Sequence, residues 1–218
     1  MSRQRSYRTK GIIISRKRFS ESDRIVTFFS PDLGIHEAVA HGIRKPTSKK
    51  TGTLELFNYV NLHIVRGKTL DFISEAQIID SFGYVKKDFN LTHPVFYMLE
   101  IVGRLFNPGQ QQADIFDLLQ TSINLLNTKK LNQTQIDCLL SRFEIKVLEE
   151  SGFFSLHEKK FSNPQIFESA VTLSKQSLPS LLNSQFKPAK LLKDSLKSSL
   201  EEIIGRSFVT LSYRPVLA

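Results

Sequence analysis

The chain has 218 residues, 40% of them apolar, and 30 Lys and Arg against 21 Asp and Glu give a net charge of +9. That apolar share supports a packed interior and excludes a disordered chain, while no stretch reaches the roughly 18 apolar residues of a membrane helix. The single cysteine, Cys138, excludes an internal disulfide and a multi-thiolate zinc site.

The length suits one large domain or two modest ones sharing a core. The N-terminus is basic, and its apolar run, Ile12 to Ile14, is far shorter than the core of a signal peptide. It reads as a basic tail followed by a strand, and the protein as cytoplasmic. Residues 1–80 hold 14 basic and 8 acidic side chains, and residues 81–218 hold 16 and 13, so the cationic excess is concentrated early. A basic module points to phosphate-rich partners.

Residues 7–80 read as five strands. TKGIIISRKRF and DRIVTFFS are the first two, and Pro31 to Gly34 is turn chemistry, with Pro fixing one φ and Gly permitting a positive one. IHEAVAHGI is a third strand, followed by a polar loop, RKPTSKKTGT. FNYVNLHIV alternates, with Phe57, Tyr59, Asn61 and His63 on one face and Val60, Leu62 and Ile64 on the other. A turn at Arg66 to Thr69 leads into LDFISEAQIID. Five short strands in about 75 residues suit an OB-fold barrel.

From Pro94 the period becomes helical. PVFYMLEIVGRLF, ending at Asn107 to Gly109, is the first helix and DIFDLLQTSINLLNT the second. TQIDCLLSRFEIKVLEESG is the third, with Thr134 as N-cap and Gly152 as C′ residue. Residues 153–187 are rich in Ser, Asn, Gln and Pro and read as an irregular segment, with room for one short element near Phe167 to Leu173. PAKLLKDSLKSSLEEIIG is a further helix, with Leu191, Leu192, Leu196, Leu200 and Ile203 inward and Gly205 past its end. The expected fold class is α+β: an N-terminal five-stranded OB-fold barrel over 1–80, then an all-helical domain over 81–218 that contains the irregular segment 153–187.

No catalytic constellation stands out. There is no phosphate-binding glycine loop, no GxSxG and no HExxH. Glu149–Glu150 and Glu201–Glu202 are adjacent on helices, so they point about 100° apart and make poor acid–base pairs. The histidines His36, His41, His63, His93 and His157 lack a supporting cluster of ligands, and no metal or cofactor is expected. The basic loop carrying Arg44, Lys45, Lys49 and Lys50, and the cluster Arg16, Lys17 and Arg18, suit a phosphate backbone or plain solvation equally. Phe19, Phe57 and Phe72 are able to stack on bases, although packing is the default role for each.

The run FSESDRIVTFFSPDLGIHEAVAHGIRKPTSK resembles the N-terminal domain of the bacterial RecO repair family. The matching positions are Glu21, Asp23, Ile25, Val26, Thr27, Phe29, Gly34, Val39, Ala40, Gly42, Arg44 and Ser48. The likeness continues through GTLELFNYVNLHIVRGKTLDFISEAQIIDSF, SRFEIKVLEESGF and the closing IIGRSFVTLSYRPVL. His41 departs from the lysine common in the family. Many members also carry four cysteines resembling a zinc site, whereas residues 156–186 here contain none, so the chain resembles a zinc-less member.

The resemblance implies a non-enzymatic recombination mediator associated with the nucleoid. It implies binding of single- and double-stranded DNA, annealing of complementary strands, and help for RecA on DNA coated by single-strand-binding protein (SSB), with RecR and, on some routes, RecF as partners. Phosphate contacts are expected from Arg16, Lys17, Arg18, Arg24, Arg44, Lys45, Lys49, Lys50 and Arg66. Lys129, Lys130, Arg142 and Lys146 are candidates, by charge alone, for a partner pocket in the helical domain. A basic OB-fold scaffold for an acidic protein and an RNA-binding protein without annealing activity are the alternatives.

Overall fold

A computed structural model describes residues 5–153 and 163–210. Five strands close into a barrel: β1 (Ser6–Arg18), β2 (Arg24–Ser30), β3 (Gly34–Ala40), β4 (Tyr59–Val65) and β5 (Asp71–Asp80), in the order β1-β2-β3-β5-β4. All neighbours are antiparallel except β3 and β5, which pair in parallel at Ala38–Asp71 and Val39–Phe72. This is the five-stranded OB-fold arrangement expected from the spacing of the strands.

The alternation along β4 turns Val60, Leu62 and Ile64 into the barrel, where they meet Ile13, Val26, Phe28, Ala38, Ala40 and Ile73. Gly11 leaves room for Phe28, since a Cβ there would lie 2.8 Å from that ring's Cδ2. The register of β1 against β2 shifts between Ile13 and Ser15. That shift lets one long strand bend between two neighbours, pairing with β4 through its first half and β2 through its second.

Two expectations for this region are corrected. Phe57 is not a strand residue: it has φ 49° and lies buried, with its N–H donating to the Ile13 carbonyl at 2.7 Å. Alternation alone does not reveal such a left-handed residue, which the surrounding packing must hold in place. The polar loop after β3 also contains a short helix, α1 (Lys50–Thr53).

The chain divides into two compact units: residues 1–83 with 102–120, and residues 84–101 with 121–218. The division falls inside α3 (Phe89–Leu105) and again inside α4 (Ala113–Thr128). In the barrel unit, Phe116 of α4 packs against Phe29 and Tyr59, with centroids 5.7 and 5.9 Å apart.

The helical unit also contains α2 (Gly83–Lys86), most of it in this unit, α5 (Gln133–Glu150), α6 (Pro164–Lys175), α7 (Leu178–Asn183) and α8 (Lys190–Ile204). α5 packs against α6, α7 and α8. Helix α3 begins at Phe89 rather than Pro94, which sits inside it. That proline removes only its own N–H from the helical ladder, and the Thr92 hydroxyl supports the preceding turn by donating to the Val85 and Asp88 carbonyls.

The cap of α5 is Asn132 rather than Thr134. Its side chain accepts from the Gln135 N–H while the Gln135 side chain accepts from the Asn132 N–H, a reciprocal capping box. The expected irregular segment is replaced over its described part by α6 and α7, which start at the caps Asn163 and Ser177. Leu191, expected inward on α8, is exposed, whereas Leu192, Leu196 and Leu200 are buried. Gly205 ends α8 in the left-handed conformation. His157 lies outside the described residues.

Candidate nucleic-acid interface

At one end of the barrel, β1 and β2 are joined by residues 19–23. Register places Arg18 directly opposite Arg24. Like charges facing across a ladder are unfavourable unless an anion serves both. Beside them lies a cavity of about 290 Å³ lined by Arg16, Arg24, Arg44 and Lys45, with Pro46, Ser48 and Thr51 completing its wall. Four of the nine cations expected to contact phosphate thus share one concavity.

The 19–23 loop is fastened from below. Arg44 donates from Nη1 to the carbonyls of Ser20 and Glu21, at 3.2 and 2.8 Å, and from its backbone N–H to Ser22. Asp23 accepts from the Gly42 N–H at 2.8 Å and lies 2.9 Å from His41 Nδ1. These two contacts, the Gly42 amide foremost, hold its carboxyl well below the usual carboxylate range. His41 also stacks on Phe72, with centroids 5.0 Å apart.

The remaining candidates differ in their surroundings. Lys17, Arg18, Lys45 and Lys49 are exposed, and Lys17 reaches Glu37 only at 4.0 Å. Lys50 turns inward to donate to the Ile73 carbonyl at 2.8 Å, and burial lowers its pKa. Arg66 belongs to a separate cavity of about 540 Å³, lined also by Arg5, His36 and Asp71. There its guanidinium lies 4.9 Å above the Tyr7 ring. The Tyr7 hydroxyl donates to Asp71 at 2.8 Å, and burial together with that bond raises its pKa. Burial pushes Asp71 upward, but hydrogen bonds from Tyr7, Gly67 and His36 outweigh it and hold the carboxyl low.

In the helical unit, Lys129 and Lys130 are exposed just beyond α4. Arg142 donates to the carbonyls of Leu173, Ser174 and Gln176 at the end of α6, and Lys146 pairs with Glu149 at 2.6 Å. A cavity of this unit is lined by other residues than these four. That cavity, of about 310 Å³, is lined by Lys190, Lys193 and Lys197 of α8 together with Tyr97, Leu140 and Glu144. Lys193 is paired with Asp137 at 2.6 Å. Glu144 accepts from the Tyr97 hydroxyl at 2.6 Å, and its burial pushes the carboxyl up to about 7.

Glu55, which accepts from both terminal nitrogens of Arg16, and Asp23 hold parts of the basic surface in place and are not candidates that the sequence offers. Their partners lie 39 and 18 or 19 residues away, which no local pattern reports. A thiolate zinc site does not fit this chain. Its one cysteine, Cys138, is buried in α5, and no group of three possible metal ligands occurs among the described residues. Among the described residues no helix is long and apolar enough to cross a membrane.

These features define a class: OB-fold barrel proteins carrying a basic concavity, joined to a helical bundle. The chain belongs to the recombination protein O family. Residues 1–82 match its N-terminal model and residues 87–185 its C-terminal model. The chain is 33% identical to the DNA repair protein RecO of Dehalococcoides mccartyi over 153 residues, covering 70% of this chain and 59% of that protein. It is 31% identical to the protein of the same name from Roseiflexus sp. over 168 residues, covering 77% and 54%. The match to the Symbiobacterium thermophilum protein is also 31%, over 147 residues, covering 67% and 57%. The chain therefore spans somewhat over half the length of the curated relatives it matches.

Proposed function

We propose that this chain is a DNA repair and recombination mediator that binds single- and double-stranded DNA through the basic end of its barrel. The observation that carries the reading is the convergence of Arg16, Arg24, Arg44 and Lys45 on one cavity, beside the facing pair Arg18 and Arg24. Cations arranged this way hold a phosphate backbone without reading its sequence. Screening two strands lowers their mutual repulsion and leaves their base edges free, which is what annealing requires. The reading assigns the chain binding work on nucleoid DNA, with no chemical step of its own.

In the same reading, the chain helps RecA onto DNA coated by SSB, with RecR and RecF as further partners. The cavity lined by Lys190, Lys193 and Lys197 together with Leu140 and Tyr97 suits an acidic, apolar tail such as that of SSB. Lys190→Ala with Lys197→Ala is expected to weaken binding of that tail peptide and leave DNA binding intact.

The deciding experiment measures annealing of complementary oligonucleotides coated with SSB, with and without the chain, alongside binding at several salt concentrations. Acceleration is expected. The double variant Lys45→Ala, Lys49→Ala should lower the salt slope for duplex by up to about 0.9 per lost contact. A wild-type chain that binds no DNA at low salt would overturn the reading, and tighter binding to RNA of equal length would redirect it to RNA.

A further inference from the structure

The cations described above hold a backbone but do not by themselves distinguish one strand from two. Phe19 stands next to them in the chain. It opens the loop between β1 and β2, directly after Arg18, and is 52% exposed. Water is a poor environment for a phenyl ring, and the other two barrel aromatics with stacking potential are otherwise engaged. Phe57 is buried in the interior, and Phe72 stacks on His41.

Phe19 is also held on a prepared loop. Its N–H and that of Ser20 donate to the Asp23 carbonyl, at 3.2 and 3.4 Å. Arg44 fastens the Ser20 and Glu21 carbonyls from the cavity side, and the Asp23 N–H donates to Ser20 Oγ. The ring is therefore presented by ordered backbone adjacent to the cations at Arg18, Arg24 and Arg44, where a bound strand would pass.

We propose that Phe19 is a base-stacking platform that adds affinity for single-stranded DNA and none for double-stranded DNA. The proposal rests on the DNA-binding reading above. An unpaired nucleobase offers an open face to an aromatic ring, whereas in duplex each face is already covered by its neighbour. Stacking of this kind tolerates any sequence, as an annealing protein needs. The ring adds no charge, so it contributes affinity without changing the number of counterions released.

The test compares an oligothymidylate with a duplex of equal length, titrated by fluorescence anisotropy at fixed salt. Phe19→Ala should weaken the single strand by roughly tenfold or more. It should leave duplex binding within about twofold and both salt slopes unchanged. Phe19→Trp should keep single-strand affinity. Because the chain contains no tryptophan, its emission reports position 19 alone and should be quenched by oligothymidylate but not by duplex. Equal loss on both ligands, no loss on either, or unquenched tryptophan emission overturns the platform while leaving DNA binding standing. A wild-type chain that binds neither ligand removes both readings together.

Discussion

Glu55 grips Arg16 end-on, its two oxygens 2.6 and 2.8 Å from Nη1 and Nη2. This is the bidentate geometry in which a guanidinium also receives a phosphate. Arg16 lines the basic cavity, and its buried Nε makes no hydrogen bond among the described residues. Glu55 therefore occupies one cation of the cavity much as a strand would. Glu55→Gln should tighten DNA binding by a few fold and raise the single-strand salt slope by up to about 0.7, the contribution of one further phosphate contact. Weaker binding by the variant would show instead that Glu55 orients Arg16 for DNA.

Asp23 acts on the same surface without touching the cavity's charge. Its carboxylate joins the 19–23 loop to Gly42 and His41. Because the folded chain depresses its pKa, the contribution of this contact is present above the ordinary carboxylate value and fades only as pH falls through the lowered one. The loop should stay fastened by Asp23 between pH 5 and 8. Asp23→Ala should lower single-strand affinity several fold through the cost of ordering a looser loop, with the salt slope unchanged because no cation is lost. A slope that falls with the affinity would place the effect on phosphate contacts.

How far the sequence spoke for this structure depends on the range of each interaction. Val60, Leu62 and Ile64 announce their inward face because strand alternation is local, and Gly205 announces the end of α8 for the same reason. Arg16 and Arg44 were visible as candidates by charge, but their division of labour was not. Arg16 answers to Glu55 and Arg44 to the carbonyls of residues 20 and 21, contacts that exist only once the barrel closes. Lys50 is misleading for a related reason, since a lysine in a polar loop normally faces solvent and this one bonds to Ile73. Helices α6 and α7 carried legible signals, Asn163–Pro164 and Ser177 before Pro179, each a cap followed by a proline in the first turn. The polar composition around them obscured those signals.

Burial of the Glu144 carboxyl, which the hydrogen bond from Tyr97 only partly offsets, gives the stability of the helical unit a pH dependence. Burial raises the carboxyl from its ordinary value of 4.5 to about 7. The folded state therefore holds a proton that the unfolded chain releases near 4.5. Stability from this group is fully present below that value and is lost as pH rises towards 7. Glu144→Gln keeps an acceptor for the Tyr97 hydroxyl and carries no charge to bury. At pH 8 it should be more stable than wild type by about 2 kcal/mol, with the difference shrinking below pH 5. Urea unfolding at both pH values measures this, and a pH-independent difference would exclude titration of Glu144 as the cause.

Arg142 offers the sharpest separation of a structural cation from a ligand-binding one. Its guanidinium donates to carbonyls at the C-terminal end of α6, groups that the helix itself leaves unsatisfied. The positive charge also opposes the negative end of the helix dipole. Removing it strands those carbonyls in a half-buried setting and unfastens α6 from α5. Arg142→Ala should therefore cost about 1–3 kcal/mol of stability, while Lys129→Ala with Lys130→Ala, on exposed residues, should cost almost nothing. At a temperature where the variant remains folded, Arg142→Ala should bind both DNA and the SSB tail peptide as wild type does. Full stability combined with lost peptide binding would return Arg142 to the partner surface.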